Sequence, residues 1–240
     1  MAAGHNVTVL EKNEVLGGRA RKFKAKGFTF DMGPSWYWMP DVFENYFSNF
    51  GKKAADYYDL VRLDPSYAVI FGKRETLNVP AKLDEFKAAL EKLEPGVSER
   101  LDAFLEQAAF KYQRGIYDLV KRPSLSLMEF LDLRLFRDVL KMDIFQSMSK
   151  HLRKYFTNEN IIRLMEFPVL FLGETAQKIP ALYSLMNYAD IVLGTWYPMG
   201  GMHKIIEGMV ALAKEKGVVF KNKAEVVAIT ADSGAAKTVK

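Results

Sequence analysis

The sequence predicts an α/β fold in which two segments of mixed helix and strand enclose a mainly helical middle. A run rich in β-branched residues, Val7 to Leu10, is typical of a buried strand. Apolar residues recur at helical spacing after Ser98, and a helix followed by two strand-like runs begins after Gly201. The predicted regions are 1–59, 60–193 and 194–240.

The first region is predicted to open on the last turn of a helix, Ala2 to Gly4, because glycine tolerates the left-handed conformation of a helix C-cap. The strand Val7 to Leu10 follows, with Glu11 at its end. Gly17-Gly18 is predicted to form a turn.

The second region is predicted to begin with a hairpin and to continue as helices. Two strand-like runs, Tyr67–Phe71 and Thr76–Val79, flank the predicted turn Gly72–Glu75. A helix with its N-cap at Ser98 then carries a buried stripe. The residues of this stripe are Leu101, Phe104, Leu105, Ala108 and Tyr112.

Two further helix starts in this region carry capping signals. Ser126 and Glu129 have the spacing of a capping box ahead of an apolar run. Thr157 or Asn158 is the predicted cap of a helix that continues through Leu164.

The third region returns to α/β character. Its predicted helix runs from Met202 to Ala213 and is closed by Gly217. Strands are predicted at 218–220 and 225–229, and a turn of small residues at 233–236.

Composition excludes several classes of function. The 240 residues contain no cysteine, so disulfides and thiolate metal sites are absent and electron transfer requires a cofactor. The net charge of +5 is spread over interleaved acidic and basic residues, which argues against nucleic-acid binding. The first residues lack a secretory signal and the longest apolar stretch is too short to span a bilayer, so a cytoplasmic location is predicted.

Glu11 occupies the position of an acidic residue that binds a nucleotide. In a dinucleotide-binding βαβ unit, a carboxylate at the end of the second strand accepts hydrogen bonds from ribose hydroxyls, about 20 residues after a glycine-rich turn. None of the 16 glycines forms G-x-G-x-x-G, and counting back from Glu11 passes beyond Met1. An ordinary solvated carboxylate is the alternative interpretation.

The run from Val7 to Arg19 resembles the second strand and glycine turn of FAD-binding oxidoreductases of the amine oxidase and carotenoid desaturase superfamily. The resemblance implies that Gly17 and Gly18 permit close approach of a phosphate or ribose, with Arg19 as a nearby cation. A tight glycine turn with a surface arginine is the alternative.

The next segment, Gly27 to Trp36, looks like the part of bacterial-type phytoene desaturases that runs close to the flavin ring. The resemblance implies that Gly33 and Pro34 hold backbone against the flat cofactor, with Ser35 as a further contact. The apolar cluster Trp36 to Met39 suits the wall of a cavity for a long hydrocarbon, and core packing is its alternative.

The run from Trp196 to Met202, followed by a helix and Glu225 to Val227, resembles the return of the same family into its FAD domain. Val227 is therefore a candidate backbone contact for the adenine end of FAD. The alternative is a buried strand without a ligand.

This resemblance implies a partial FAD-binding Rossmann-like domain with an inserted, mainly helical substrate domain. It also implies an FAD-dependent desaturase of phytoene or a related polyene, with hydride transfer to flavin and loss of a proton. A flavin amine oxidase or a polyene isomerase of the same superfamily is a second hypothesis. The chain is predicted to be a fragment, and on its own to retain little FAD, so a non-catalytic remnant is a third hypothesis.

The catalytic acid or base has no sequence signature. The titratable candidates for a proton acceptor are Asp132, Asp138, Asp143, Glu166 and His203. His151 and His203 show no metal-ligand spacing, so no metal site is predicted.

The apolar substrate implies peripheral contact with a membrane. Basic residues from Lys150 to Lys154 stand beside Leu152, Tyr155 and Phe156, a pattern that suits either a bilayer surface or a solvated helix on the core. Nothing in the sequence indicates an oligomeric state.

Overall fold

The structure is a computed structural model that describes residues 4–72, 75–121 and 142–240. Several predictions fall partly or wholly on other residues and lie outside the described part of the chain. They concern Ala2, Ala3, the tip of the hairpin at 73–74, the capping box of Ser126 and Glu129, and the candidate acceptors Asp132 and Asp138.

The described residues combine short strands with helices. The strands are β1 Thr8–Glu11, β2 Lys22–Ala25, β3 Phe28–Asp31, β4 Leu60–Arg62, β5 Tyr67–Phe71, β6 Glu75–Val79, β7 Trp196–Pro198, β8 Val219–Asn222, β9 Ile229–Asp232 and β10 Ala235–Val239. The α-helices are α1 Pro40–Ser48, α2 Leu83–Glu91, α3 Val97–Tyr112, α4 Met148–Leu152, α5 Glu159–Glu166, α6 Leu185–Asn187 and α7 His203–Glu215. Short 3-10 helices lie at Gly18–Ala20, Ala54–Asp56, Phe167–Leu172 and Ala181–Ser184, and π-helical turns at Gln113–Leu119 and Tyr188–Val192.

The strands pair two by two. β1 runs parallel to β8, with Thr8 opposite Val219 and Glu11 opposite Asn222. The pairs β2–β3, β5–β6 and β9–β10 are antiparallel, and β4 pairs with β7. Parallel pairing of β1 with a strand that follows a helix is the arrangement of an α/β unit.

The chain divides into two compact units. One combines residues 1–61 with 196–240, and the other is 62–195. The sequence places its boundaries after residues 59 and 193. The assignment of these units to cofactor and substrate domains stays a prediction.

The core of the 62–195 unit contains the stripe on α3 that the sequence predicts. Leu101, Phe104 and Ala108 are fully buried there. The predicted N-cap is wrong, because α3 begins at Val97 after Gly96, two residues before the expected start. The Glu91 carboxylate accepts hydrogen bonds from the Gly96 and Ser98 N–H groups at 2.7 and 2.8 Å, and so takes the role expected of the Ser98 side chain.

Two other local predictions for this unit are confirmed. The strands β5 and β6 form the antiparallel hairpin. Asn158 is the N-cap of α5, and its Oδ1 accepts from the Asn160 and Ile161 N–H groups at 2.9 and 3.4 Å.

The unit formed by 1–61 and 196–240 departs from the predictions at two strands. Val9 and Leu10 in β1 are 36% and 38% exposed, so the predicted burial of this strand is wrong for the described residues, where β8 is its one partner strand. The strand predicted at 225–229 is also wrong, since β9 begins at Ile229 and pairs with β10 across a turn at 233–234. Antiparallel pairing with a following strand sets this register.

Helix α7 forms as predicted. For the basic stretch near α4, the sequence allows either a bilayer surface or a solvated helix on the core, and the burial of its apolar residues favours the second. Leu152 and Phe156 are fully buried in the core. Their apolar atoms are therefore turned away from solvent, as the alternative of a solvated helix on the core requires. Among the described residues, no helix is both long enough and apolar enough to cross a bilayer.

Candidate functional site

Glu11 ends β1 and its carboxylate is held in place by its own neighbours. Oε1 accepts hydrogen bonds from the Asn13 backbone N–H at 2.7 Å and from the Asn13 side-chain amide at 2.8 Å. Both bonds use Oε1, so Asn13 orients the group without engaging Oε2. The Glu11 carbonyl also accepts from the Ala224 N–H at 2.9 Å, which extends the pairing of β1 with β8. A carboxylate fixed at the end of a parallel strand matches the ribose-binding position.

The two glycines of the predicted turn differ in how closely other atoms approach them. Gly17 has φ +114° and Gly18 has φ +52°, and the Ala20 N–H closes the turn on the Gly17 carbonyl at 2.8 Å. A Cβ at Gly17 would lie 3.2 Å from His203 Cε1, whereas one at Gly18 would meet open space. Gly17 therefore packs closely against α7, while Gly18 is open on its outer side, and contact of either glycine with a ligand stays a prediction.

Gly33 lies against the same turn. A Cβ at Gly33 would stand 2.1 Å from the Arg19 carbonyl oxygen, and the adjacent Met32 N–H donates to the Arg21 carbonyl at 2.8 Å. The structure therefore brings together two segments that the sequence assigns to the cofactor. The close approach that requires glycine at position 33 is to protein backbone, and Pro34 and Ser35 continue from it as exposed chain.

An open groove of about 440 Å³ lies beside these segments. It is lined by Asn13, Glu14, Val15, Arg21, Lys22, Phe23 and Met32. Cationic groups beside apolar walls suit a ligand that carries both phosphate and aromatic parts. The groove begins two residues after Glu11 and includes the residues that follow Arg19 and precede Gly33.

The charge of Lys22 in this groove is compensated from α7. The Lys22 ammonium pairs with Glu207, whose other oxygen accepts from Lys204 at 2.7 Å. Hydrogen bonds from Lys204 and then Lys22 lower the pKa of the Glu207 carboxyl to about 2. Glu207 is therefore ionised at neutral pH and offsets part of the positive charge, while Arg21 lines the same groove.

Val227 belongs to a different place in this unit. It lies before β9 with its side chain 77% exposed, and its N–H donates to the Lys240 carbonyl at 2.8 Å. That N–H is engaged within the chain, so a backbone contact from Val227 to a nucleotide would use its carbonyl.

The aromatic cluster after the predicted flavin segment splits between core and surface. Tyr37 is 1% exposed, and its hydroxyl bonds the Tyr58 hydroxyl at 2.9 Å. The pKa of Tyr37 is raised, mainly by burial and to a smaller extent by this hydrogen bond. Trp36 remains 41% exposed and stacks on Trp38 with ring centroids 5.9 Å apart. For Tyr37 the structure supports core packing.

One candidate proton acceptor of the 62–195 unit, Asp143, takes part in a charged cluster. Asp143 accepts from the Lys111 ammonium at 2.9 Å, and Lys111 is fully buried beside His151. Burial lowers the pKa of Lys111, and burial followed by the nearby Lys111 charge lowers the pKa of His151 to about 4. Asp143 therefore serves as the counter-ion of Lys111. Glu166 is half-buried on α5.

The sequence does not signal the positions that connect the cofactor segments to α7. Asp31 accepts hydrogen bonds from the Met202 and His203 N–H groups, 171 and 172 residues away. His203 is interpreted from sequence as structural or surface-exposed; it is 6% exposed and bonds the Ala20 carbonyl. The sequence signal that could have indicated this contact is the Gly200-Gly201 pair directly before the helix, because glycine allows another group to approach the helix start closely.

Comparison with known families and proteins gives a consistent result. A family model described as "Flavin containing amine oxidoreductase" matches residues 1–240. A carotenoid 3,4-desaturase of Haloarcula japonica is 38% identical over 229 residues, which cover 95% of this chain and 46% of the relative. A zeta-carotene-forming phytoene desaturase of Myxococcus xanthus is 33% identical over 237 residues, 99% of this chain and 46% of the relative. The chain thus spans about half the length of these curated relatives.

Solved structures share the fold at lower identity. A triple mutant of putrescine oxidase matches with a TM-score of 0.58 and 17% identity, covering 99% of this chain and 49% of that structure. An oxidoreductase from Methanosarcina mazei matches with a TM-score of 0.56 and 16% identity, covering 99% and 50%. These matches confirm the predicted α/β class.

Proposed function

The chain belongs to the flavin containing amine oxidoreductase family, and from this premise we propose that it is part of an FAD-dependent desaturase of phytoene or a related carotenoid chain. Family membership supports the predicted enzyme class, an oxidoreductase, and FAD as its flavin cofactor. The resemblance to carotenoid desaturases, on which the sequence prediction rests, is confirmed by the relatives at 33% and 38% identity.

The substrate proposal rests on one observation, the names of these relatives. They are a carotenoid 3,4-desaturase and a phytoene desaturase, and further relatives at 32–33% identity are 4,4'-diapophytoene desaturases of staphylococci. The proteins differ in the chain they act on and agree in desaturating a long polyene. A long apolar polyene is therefore the proposed substrate class.

The residues of the 1–61 and 196–240 unit fit part of an FAD site. The oriented Glu11 carboxylate suits the ribose, while Gly18, open on its outer side, and the adjacent Arg19 suit the diphosphate. Gly33 to Ser35 would carry the flavin contacts and Val227 the adenine contact. A Cβ at Gly33 would push apart the two segments proposed to bind FAD, so their close packing depends on that glycine.

When bound, FAD would supply the redox chemistry of such a reaction by accepting a hydride from a saturated carbon–carbon unit. The residues of this chain would hold the cofactor in place, and apolar side chains such as Trp36 would exclude water from the substrate side. A proton would leave the neighbouring carbon. Asp143 is paired with Lys111 and the His203 Nδ1 donates to the Ala20 carbonyl, and no residue of the chain is assigned as the acceptor.

The first experiment uses the protein expressed from its complete reading frame. A purified sample is expected to carry flavin absorbance, and to convert phytoene in liposomes to products with longer conjugation, seen by chromatography with visible detection. Oxidation of amines with release of peroxide would favour the amine oxidase hypothesis, and rearrangement without new double bonds would favour a polyene isomerase. A folded protein that binds no flavin would contradict the proposed function and favour the non-catalytic remnant.

Peripheral contact with a lipid surface is proposed for the 62–195 unit. The 3-10 helix Phe167–Leu172 ends in Leu170, Phe171 and Leu172, which are 56%, 60% and 37% exposed. Consecutive exposed apolar side chains on a basic protein suit the headgroup region of an anionic bilayer.

Flotation with liposomes of anionic and of neutral lipid tests this contact. The double variant Leu170→Ser, Phe171→Ser is expected to lose binding, and Ile70→Ser, a change at a 69% exposed site on the hairpin, is the matched control. Equal flotation of both variants would contradict this proposal. The cytoplasmic location stays a prediction.

A further inference from the structure

The start of α7 is bonded to a carboxylate from β3. Asp31 Oδ2 accepts from the Met202 N–H at 2.8 Å, and Oδ1 accepts from the His203 N–H at 3.1 Å. These N–H groups have no acceptor within the helix, so one side chain satisfies two of them and places its negative charge at the positive end of the helix dipole.

The room for this carboxylate comes from a glycine. Gly201 has φ +106°, and a Cβ there would stand 2.9 Å from Asp31 Oδ2. Any other residue at this position would push the carboxylate away and strain the backbone. The chain entering α7 is therefore fitted to Asp31 both by hydrogen bonds and by shape.

His203 makes a second connection at the same end of α7. Its Nδ1 lies 3.0 Å from the Ala20 carbonyl oxygen. Because a carbonyl accepts, Nδ1 carries the hydrogen and donates it. The ring Cε1 stands 3.2 Å from the place of a Cβ on Gly17, so the imidazole fills the space between α7 and the glycine turn.

These contacts join the two segments that the proposed function assigns to FAD. Ala20 directly follows Arg19, and Asp31 stands two residues before Gly33, which itself packs on the Arg19 carbonyl. We infer that Asp31 and His203 are positioning residues that hold Gly17–Arg19 and Gly33–Ser35 in the arrangement that binds the flavin nucleotide. This inference rests on the proposed function and adds to it two residues that act through the segments they hold.

The test measures FAD affinity of the protein expressed from its complete reading frame, by fluorescence titration of the apoprotein. His203→Leu replaces the imidazole by an apolar side chain of similar bulk and removes the hydrogen-bond donor. It is expected to raise the Kd for FAD about tenfold, or ~1.4 kcal/mol of binding. His203→Asn places an N–H near the position of Nδ1 and is expected to stay within roughly threefold of the parent, since this rescue restores the bond.

Two further variants complete the design. His5→Leu is the matched control, the same substitution at an exposed histidine, and is expected to leave the Kd unchanged. Asp31→Asn keeps one acceptor for the helix start and loses the charge and the second acceptor, so the Kd is expected to rise by about three- to tenfold. Thermal melting of each apoprotein and the absorption bands of bound flavin separate a shifted site from a general loss of structure.

The outcomes separate this inference from the proposed function. Tight FAD binding by the parent and by His203→Leu alike would overturn the inference and leave the proposed function standing. Equal loss in His203→Leu and His203→Asn would overturn it as well, because the donor would then have no specific part. A folded parent protein that binds no FAD would contradict both the inference and the proposed function.

Discussion

Replacement of Gly33 by alanine tests the packing that brings the two cofactor segments together. The new Cβ would lie 2.1 Å from the Arg19 carbonyl oxygen, whereas ordinary contacts begin at 3.4 Å, so about 1.3 Å of separation (3.4 − 2.1) must be created. Both atoms are attached to backbone, so no flexible side chain can turn aside. The segments must part, and the Met32 N–H bond to the Arg21 carbonyl beside them is stretched.

The magnitude follows from these two effects. Overpacking typically costs about 1–3 kcal/mol, and a lost backbone hydrogen bond costs about 1 kcal/mol more. Gly33→Ala is therefore expected to destabilise the protein by about 2–4 kcal/mol, which corresponds to a fall in Tm of roughly 5–15 °C for a chain of this size. Calorimetry and circular dichroism of the apoprotein measure this change, and FAD titration is expected to show weaker binding.

Gly115→Ala is the matched control for this experiment. Its Cβ would meet the Leu185 Cδ2 at 3.2 Å, the far end of a side chain that can move, and the residue lies in the helical turn Gln113–Leu119. Alanine favours helix over glycine by up to about 1 kcal/mol, so little change or slight stabilisation is expected. A Gly33→Ala protein with the parent's melting temperature and FAD affinity would falsify the close packing of Gly33 on Arg19.

Other predictions concern the 62–195 unit. The pKa of buried His151 lies near 4 in the folded state and near 6.5 in the unfolded chain. Between these two pH values, the unfolded chain therefore binds more protons than the folded protein. Stability therefore falls as pH drops through this range, by about 2 kcal/mol between about pH 7 and about pH 5, and denaturant titrations of His151→Gln are expected to lose this dependence. Asp143→Asn leaves the fully buried Lys111 ammonium without its counter-ion and is expected to lower the free energy of unfolding by about 3–5 kcal/mol, whereas Lys111→Met, which leaves a partly exposed carboxylate, is expected to lower it by less; the reverse order would contradict the structure. Asn158→Ala removes the cap of α5 and is expected to lower the same free energy by about 1 kcal/mol, with Asn158→Asp close to the parent.

Local patterns in the sequence determined the elements that bury one continuous face. The stripe from Leu101 to Tyr112 repeats at helical spacing, and only one face of a helix with that spacing is apolar, so α3 and its buried side were predictable without any partner. The cap at Asn158 was predictable for a similar reason, since the side chain acts on N–H groups two and three residues ahead. The family was predictable because the motif around Glu11 and the glycine turn is contiguous.

The tertiary structure decided what depends on residues distant in sequence. Glu91 satisfies the start of α3, so the helix begins before Ser98, and pairing with β10 rather than strand propensity sets where β9 begins. Asp31 and His203 acquire their roles from partners more than 170 residues away, and the packing of Gly17 against α7 likewise joins distant parts of the chain. A sequence pattern reports the spacing of neighbours along the chain, whereas these contacts exist only after segments far apart have been brought within hydrogen-bonding distance.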